Sequence, residues 1–252
     1  MSKPVNHPIV ALWTYPRTIS TAFERVMMER GDFEVFHEPF SYLYYVHENA
    51  ASIAQEHIDP NHPTTYSAIK QMLLYAAEKR PVFFKDMAAH CAGPLLADPP
   101  FIARVTHTFL IRDPAKTIAS YYAMNPNVTL SEIGCEQLQE LFAAVERGQP
   151  QPPVVVDADD LEDSPAGIVE AYCRRLAIDF MPSSLQWQPQ LPAKWKIWQK
   201  WHADAAGSTG IRKNVETFAV TPDNSAHLKS YYEHHLPFYR AMHRCRIGAV
   251  DS

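Results

Sequence analysis

Glycine is scarce in this chain, and its scarcity removes two common nucleotide-binding motifs. The 252 residues include 8 glycines against 21 prolines. Neither G-x-G-x-x-G nor G-x-x-x-x-G-K-[ST] occurs, so the glycine loops with which dinucleotide-binding folds and P-loop NTPases hold phosphates are missing. Interpretations as a dinucleotide-binding protein or an ordinary P-loop NTPase therefore lose their main support.

Paired cysteines, basic runs and long apolar segments are also missing. Cys91, Cys135, Cys173 and Cys245 stand far apart, which indicates reduced thiols rather than a disulfide frame or a zinc site. A formal net charge of −5 without a basic run argues against a nucleic-acid or membrane partner, although a local cationic pocket is compatible with it. No apolar run approaches about 18 residues and no signal region begins the chain, so we expect a cytoplasmic protein.

What the chain does contain near its beginning is a strand, a polar turn and a helix start. Residues 9–13 form an apolar run typical of a short buried strand, and residues 20–30 have a helical pattern. The free N–H groups and the dipole of such a helix start attract an anion. Four side chains would add donors: Arg17, Thr18, Ser20 and Thr21. The residues predict a phosphate or sulfate site, and the alternative is an ordinary turn with an exposed arginine.

The turn Thr14-Tyr15-Pro16-Arg17-Thr18-Ile19-Ser20-Thr21 resembles the 5′-phosphosulfate loop of sulfotransferases that use PAPS (3′-phosphoadenosine 5′-phosphosulfate). The resemblance implies that Arg17 is the basic residue of that loop and that Thr18, Ser20 and Thr21 occupy its hydroxyl positions. Ile19 departs from the family, which usually has glycine there. Because a β-branched residue does not comfortably take a positive φ, we expect the turn either to keep an ordinary backbone conformation or to be strained.

A second strand-to-helix turn lies in residues 105–122. A β-rich run ends at Ile111, Asp113 is a suitable helix N-cap, and Pro114 suits the first helical position. Arg112 and Ser120, in the frame Arg-Asp-Pro…Ser-Tyr-Tyr, resemble the family's pair for the 3′-phosphate. Two strand-to-helix turns resemble phosphate-binding segments of the family and occur in the family's order. A chance match of both is much less plausible than a chance match of one.

A late stretch, residues 207–214, resembles the family's loop that closes over the 3′-phosphate. The resemblance implies that Arg212 and Lys213 bind this phosphate. Asn214 stands where the family usually has glycine.

The catalytic candidates follow the ends of two further strands. His37 and Glu38 come after a short apolar run, and open parallel sheets bind ligands beyond the carboxyl ends of their strands. Taken alone, a half-buried His37 and a surface or capping Glu38 would be ordinary. A Glu-Pro pair carries the proposed general base in several branches of the family, so the resemblance implies this role for Glu38, with His37 as its rival.

Lys85 lies where the predicted strand of residues 82–87 changes from apolar to charged. It resembles the lysine that the family places near the transferring sulfuryl group, and the alternative is a surface lysine. The cytosolic branch has a catalytic histidine two places later, where this chain has Met87, so that role is not carried over. His90 is too loosely placed to inherit it.

Three tyrosines follow Glu38 closely: Tyr42, Tyr44 and Tyr45. They are either packing residues or the walls of an acceptor pocket, and the sequence does not choose between the two.

Two local patterns predict helix boundaries further along the chain. Thr129-Leu-Ser-Glu132 predicts a capping box for a helix that continues through Val145. A terminal helix from Ala226 to Ile247 is expected to be interrupted at Pro237.

Together these patterns predict an α/β fold: one three-layer domain over residues 1–252, with a central parallel sheet flanked by helices in the sulfotransferase (P-loop-like) topology. The segments that carry the resemblance are 9–40, 82–87, 104–122, 154–178 and 207–214. It implies transfer of the sulfuryl group of PAPS to a hydroxyl or amine of a small molecule, with release of adenosine 3′,5′-bisphosphate. No metal is expected, because Arg17, Lys85 and the loop amides can hold the charge. An ATP-dependent small-molecule kinase and a non-catalytic nucleotide-binding protein remain as alternatives.

Overall fold

The computed structural model of the protein describes residues 6–48, 58–149, 151–213 and 217–249. Within these ranges five parallel strands form one sheet. They are β1 (Ile9–Thr14), β2 (Glu34–His37), β3 (Val82–Met87), β4 (Thr106–Ile111) and β5 (Val154–Asp157). Their order across the sheet is β2-β3-β1-β4-β5. The predicted parallel sheet is confirmed.

The helices of the described residues lie mostly between these strands. The α-helices are α1 (Ser20–Arg30), α2 (Tyr66–Ala77), α3 (Ala92–Leu96), α4 (Pro99–Arg104), α5 (Pro114–Met124), α6 (Cys135–Gly148), α7 (Ala158–Asp163), α8 (Pro165–Arg175), α9 (Ala203–Gly207) and α10 (Ala226–His243). A π-helical turn covers Leu43–His47, and short 3₁₀ segments cover Ala88–His90, Ser131–Ile133, Pro182–Leu185 and Ala193–Trp201. None of the helices described here is long and apolar enough to cross a membrane.

Helices cover both faces of the sheet and give the molecule three layers. Strand β1 is buried on both sides, and its alternate residues enter two apolar clusters. Trp13 belongs to the cluster that packs under α2, α5, α6 and α10. Leu12 belongs to the other cluster, where Phe23 of α1 meets Tyr172 of α8 with ring centroids 4.9 Å apart. The three-layer α/β prediction is therefore confirmed.

The parallel arrangement brings the polar turns to one edge of the sheet. In the register of the central strands, Leu12 pairs with Lys85 and Phe36 pairs with Phe84. Strands β1, β2 and β3 therefore end side by side. The turns that follow them carry the predicted site residues.

The predicted capping box is wrong as a helix start. The Glu132 carboxylate does accept from the Thr129 amide at 2.7 Å, but only a 3₁₀ turn follows. Helix α6 begins after Gly134, which has φ 82°. A Cβ at this glycine would lie 3.0 Å from the Cβ of Tyr15, so the close approach of the turn after β1 favours glycine at the position where α6 begins.

The terminal helix begins at Ala226 as predicted, but its predicted interruption at Pro237 and its predicted end at Ile247 are wrong. Helix α10 runs without interruption through Pro237 and ends at His243. Its residues on both sides of the proline, among them Leu228 and Met242, are buried in the apolar cluster. This burial outweighs the local cost of a proline in a helix interior.

Candidate active site

A cavity of about 620 Å³ opens at the edge where the strands end. Its walls include most of the predicted site residues: Arg17, Thr18, Ile19, Ser20, Thr21, Glu38, Tyr44, Tyr45, Arg112, Arg212 and Lys213. His37, Lys85 and Ser120 lie behind these walls and bond to residues that form them. Segments far apart in the sequence therefore converge on one pocket.

The turn between β1 and α1 is strained, which is one of the two outcomes expected from its sequence. Arg17 has φ 68° and Ile19 has φ 58°. A left-handed conformation costs a non-glycine residue on the order of 1–2 kcal/mol. Thr18 helps to hold the turn, because its buried hydroxyl bonds to Thr14 and to the Tyr15 carbonyl. The Thr18 hydroxyl thus serves the turn itself, and no side chain in the described part of the sequence caps the start of α1.

Arg17 is held in place by three other segments. Its Nε donates to Ser120 Oγ of α5 at 2.8 Å, and one terminal nitrogen donates to the Trp201 carbonyl at 3.3 Å. The other terminal nitrogen lies 3.9 Å from the Asp204 carboxylate. Ser120, which the sequence predicts as a phosphate contact, positions Arg17 in this structure.

Arg112 contacts the same turn from strand β4. It donates to the Arg17 carbonyl at 3.2 Å, and the Tyr15 hydroxyl accepts from the Arg112 amide at 2.8 Å. The carboxylates of Glu162 and Asp159 flank its guanidinium at 3.7 and 4.0 Å. The buried Nε of Arg112 has no hydrogen-bond partner among the described residues. A buried donor on a permanent cation in a cavity wall suits an anionic ligand.

Arg212 and Lys213 form the outer rim of the cavity. Arg212 donates to Thr209 Oγ1, and Lys213 forms an exposed ion pair with Asp163 at 2.5 Å. Asn214 lies outside the described residues. Arg212 and Lys213 therefore lie at the cavity, and each of them also bonds to a neighbouring side chain.

Glu38 and Lys85 form a buried ion pair at the inner end of the cavity. Lys85 has no exposed surface, and its ammonium contacts Glu38 Oε1. Burial raises the pKa of Glu38, but the Lys85 ammonium outweighs burial and holds this pKa below its ordinary value. In this arrangement the Glu38 carboxylate is ionised and is a weaker base than a free glutamate.

His37 does not reach the cavity, because both of its ring nitrogens are bonded inside the protein. Its Nδ1 lies 2.7 Å from Glu24 Oε2, and its Nε2 lies 3.0 Å from His202 Nε2. His202 does line the cavity and contacts Thr21 Oγ1 through Nδ1 at 3.2 Å. Sequence reasoning missed both Glu24 and His202. Glu24 lies on the buried face of α1, which was a detectable signal, whereas His202 follows a tryptophan-rich stretch that suggests only packing.

His37, Glu38 and His202 also offer ligand atoms within 4.8 Å of one another, close enough to surround a metal ion. In this structure Lys85 already neutralises the Glu38 carboxylate. The two histidines bond to each other instead of leaving both lone pairs open. The three residues are therefore a hydrogen-bonded and ion-paired cluster.

Aromatic side chains form the wall next to this cluster. Tyr45 contacts Trp198 and His90, with ring centroids 4.7 and 5.3 Å apart. The Nδ1 of His90 lies 2.7 Å from the buried Asp86 carboxylate. Tyr42 is directed elsewhere and stacks on His62 at 3.8 Å. Of the three predicted pocket tyrosines, Tyr44 and Tyr45 line the cavity and Tyr42 does not.

The match to a known family extends over almost the whole sequence. A family model described as a sulfotransferase domain matches residues 8–246. The chain belongs to the sulfotransferase domain family. A solved sulfotransferase from Alicyclobacillus acidocaldarius has a similar fold, with a TM-score of 0.54, 10% identity and 96% coverage of each chain.

Two curated relatives contain a region similar to this sulfotransferase domain. They are named branched-chain-amino-acid aminotransferase-like protein 2 and protein 1, both from Arabidopsis thaliana. The first is 23% identical over 97% of this chain and 43% of its own length, and the second is 25% identical over 84% and 39%. The chain thus spans about two fifths of the length of these relatives.

Proposed function

We propose that this sulfotransferase takes its sulfuryl group from PAPS, transfers it to a hydroxyl or amine of a small molecule, and releases adenosine 3′,5′-bisphosphate. The choice of PAPS as the sulfuryl donor is based on two features of one cavity that suit the binding of an anion. One is the uncapped start of α1 beside Arg17. The other is Arg112, whose buried Nε has no hydrogen-bond partner in the described chain. A nucleotide with a 5′-phosphosulfate and a 3′-phosphate suits two such anion sites.

Arg17, Lys85 and the amides of the turn would stabilise charge during transfer. The acceptor oxygen or nitrogen forms a bond to sulfur while the bond from sulfur to the bridging oxygen breaks. The electron pair of the broken bond goes to the 5′-phosphate of the leaving bisphosphate. As in phosphoryl transfer, positioning and fixed positive charge supply most of the rate enhancement.

The acceptor proton would go to the cluster of Glu38, His37 and His202. The sequence predicts Glu38 as the base and His37 as its rival, and both stay predictions. A role for Glu38 requires Lys85 to leave its carboxylate for the incoming sulfuryl group, because the ion pair weakens the base. Since His37 is enclosed, it would have to act through a neighbour.

The acceptor would lie against Tyr44 and Tyr45, beside Trp198 and His90. Aromatic walls with few charged groups suit an apolar or aromatic molecule that carries the reacting group at one end. Several expectations from the sequence stay predictions: one domain over residues 1–252, a cytoplasmic location, no metal, and no nucleic-acid or membrane partner.

Incubation with radiolabelled PAPS and pools of small hydroxyl and amine compounds tests the function. We expect labelled products that depend on the protein and are greatly reduced with Arg17→Ala. Isothermal titration with adenosine 3′,5′-bisphosphate and with ATP separates the alternatives. Tight ATP binding with magnesium would favour a kinase, and bisphosphate binding without any transfer would favour a nucleotide-binding protein.

A further inference from the structure

A chain of hydrogen bonds leads from the interior of α1 to the wall of the cavity. Glu24 is fully buried, and its two carboxylate oxygens accept from Trp195 Nε1 at 2.9 Å and bond to His37 Nδ1 at 2.7 Å. His37 Nε2 then meets His202 Nε2 at 3.0 Å, and His202 Nδ1 meets Thr21 Oγ1 at 3.2 Å. Each bond joins two buried or half-buried groups.

With Glu24 ionised and His37 neutral, the position of each proton follows from the ends of this chain. An ionised carboxylate only accepts, so His37 Nδ1 carries the hydrogen that points to Glu24. A neutral imidazole has one N–H, so His37 Nε2 accepts and His202 Nε2 donates to it. The remaining nitrogen, Nδ1 of His202, is then a bare lone pair that accepts from the hydroxyl of Thr21.

We propose that Nδ1 of His202 receives the acceptor's proton, and that His37 and Glu24 are positioning residues that hold His202 in the required tautomer. The inference rests on the proposed sulfotransferase function and deepens it by naming the proton-accepting atom. His202 lines the cavity between the phosphosulfate-type turn and Glu38. A base must lie there to reach an acceptor that attacks the sulfuryl group.

Thr21 connects this base to the nucleotide site. Its hydroxyl lies 3.2 Å from His202 Nδ1 and, in the tautomer derived above, gives its one hydrogen to that nitrogen. A 5′-phosphate at the start of α1 would be a stronger acceptor, because it is charged. If Thr21 turned to that phosphate, Nδ1 of His202 would become available to the acceptor. The base would then be exposed only when the donor nucleotide is bound.

The proton transfers balance along the chain. As the acceptor oxygen bonds to sulfur, its proton moves to His202 Nδ1, and the Nε2 proton of His202 can move to His37 Nε2. The Nδ1 proton of His37 then approaches Glu24, so the positive charge is neutralised by a buried carboxylate. The leaving bisphosphate carries the electron pair of the broken S–O bond, and the proton returns to water after product release.

The charges around His202 suit a neutral base. Burial lowers the pKa of His202 well below its ordinary value, and the cations of Lys85 and Arg17 act in the same direction while Glu38 opposes them. His202 is therefore a neutral imidazole at neutral pH and can accept a proton. Glu38, in contrast, is held by Lys85.

Glu24→Gln provides a sharp test, because it should exchange the donor and acceptor roles in the hydrogen bonds that lead to His202. The glutamine oxygen can still accept from Trp195, which leaves its NH₂ group facing His37 Nδ1. His37 would then carry its proton on Nε2 and donate to His202, whose proton would move to Nδ1. The lone pair on His202 Nδ1 would be replaced by an N–H. His202 could then no longer accept a proton at this atom, although no residue that lines the cavity had changed.

We would measure histidine ¹⁵N shifts by NMR and single-turnover hydrolysis of radiolabelled PAPS with water as the acceptor. In the wild type we expect His202 protonated on Nε2, and in Glu24→Gln on Nδ1. Glu24→Gln and His202→Asn should each slow PAPS turnover by roughly 10²–10⁴-fold. Glu29→Gln, on the exposed side of the same helix and paired with Arg25, is the matched control and should change neither readout.

His202 protonated on Nδ1 in the wild type overturns the inference, and so does wild-type PAPS turnover by His202→Asn. The proposed function fails separately, when the wild type does not bind adenosine 3′,5′-bisphosphate in the same samples.

Discussion

Arg17 illustrates how a single residue depends on its supports. Its Nε is held by Ser120, and its backbone adopts φ 68°, a conformation that costs a non-glycine residue free energy. Strain of this kind persists only where the surrounding structure holds the residue in place, and it is common at functional sites. We infer that the turn is strained so that the guanidinium meets the developing charge without rearrangement.

The first prediction concerns this guanidinium. Arg17→Ala should lower the rate of sulfuryl transfer by about 10²–10³-fold, because one fixed donor at a developing charge is lost. The affinity for adenosine 3′,5′-bisphosphate should change far less. Single-turnover kinetics and isothermal titration measure the two effects. Arg175→Ala, an exposed arginine that bonds to the Pro152 carbonyl, is the control, and normal turnover by Arg17→Ala would show that the turn is only architecture.

The second prediction concerns the ion pair of Glu38 and Lys85. Glu38→Gln leaves a fully buried ammonium without its counterion, so the free energy of unfolding should fall by about 3–5 kcal/mol. Because the pKa of Glu38 is lower in the folded protein, its stabilising effect is present above the ordinary glutamate pKa and is lost as the pH falls below it. The difference between the two proteins should therefore shrink on acidification.

Urea denaturation at several pH values measures this difference. Glu38→Gln combined with Lys85→Met is the matched control, because removing both charges should restore much of the stability. A constant difference from neutral to acidic pH would mean that the carboxylate is not held ionised by Lys85.

At the scale of elements, helix α5 carries Ser120 to the turn and depends on a well-defined start. Asp113 Oδ1 accepts from the Ala115 amide at 2.8 Å, and Pro114 occupies the first position. The sequence predicted both features, and both are confirmed. Asp113→Ala should therefore lower the free energy of unfolding by about 0.5–2 kcal/mol.

Chemical denaturation tests this third prediction. Asp113→Asn keeps an acceptor at the cap and should stay close to the wild type. If the alanine and asparagine variants are equally destabilised, the negative charge of Asp113 stabilises the helix, and its hydrogen bond with the Ala115 amide does not.

Elements with strong local patterns could be predicted from the sequence, whereas features fixed by distant contacts could not. Strand β3 and helix α1 have the predicted bounds, because apolar runs and helical spacing are local signals. The start of α6 was missed because Gly134 is required by contact with Tyr15, more than a hundred positions away. His202 was missed for the same reason, since only the folded chain brings it to His37 and Thr21.

At the scale of the whole molecule, the acidic net charge does not prevent cations from clustering at one edge of the sheet. The net charge is −5, yet Arg17, Lys85 and Arg112 meet at the carboxyl edge of the sheet. The carboxylates of Glu162 and Asp159 lie 3.7 and 4.0 Å from the Arg112 guanidinium, beyond hydrogen-bond distance. A dianionic phosphate would therefore compete well for this guanidinium.

The last prediction follows from that competition. If Arg112 binds a 3′-phosphate, adenosine 3′,5′-bisphosphate should stabilise the folded protein more than 5′-AMP does. One charge-assisted hydrogen bond contributes roughly 1.5–3 kcal/mol, which corresponds to at least about a tenfold preference. The two nucleotides are compared at the same concentration. At about 100 times the Kd of the bisphosphate, the bisphosphate stabilises the folded state by about 2.7 kcal/mol and the weaker 5′-AMP by less, so thermal denaturation resolves the difference. Arg112→Ala should remove the preference while leaving the small effect of 5′-AMP, and Arg147→Ala, on the exposed end of α6, should not. Equal shifts with the two nucleotides would contradict a 3′-phosphate site at Arg112 and would leave the turn around Arg17 as the sole support for a nucleotide.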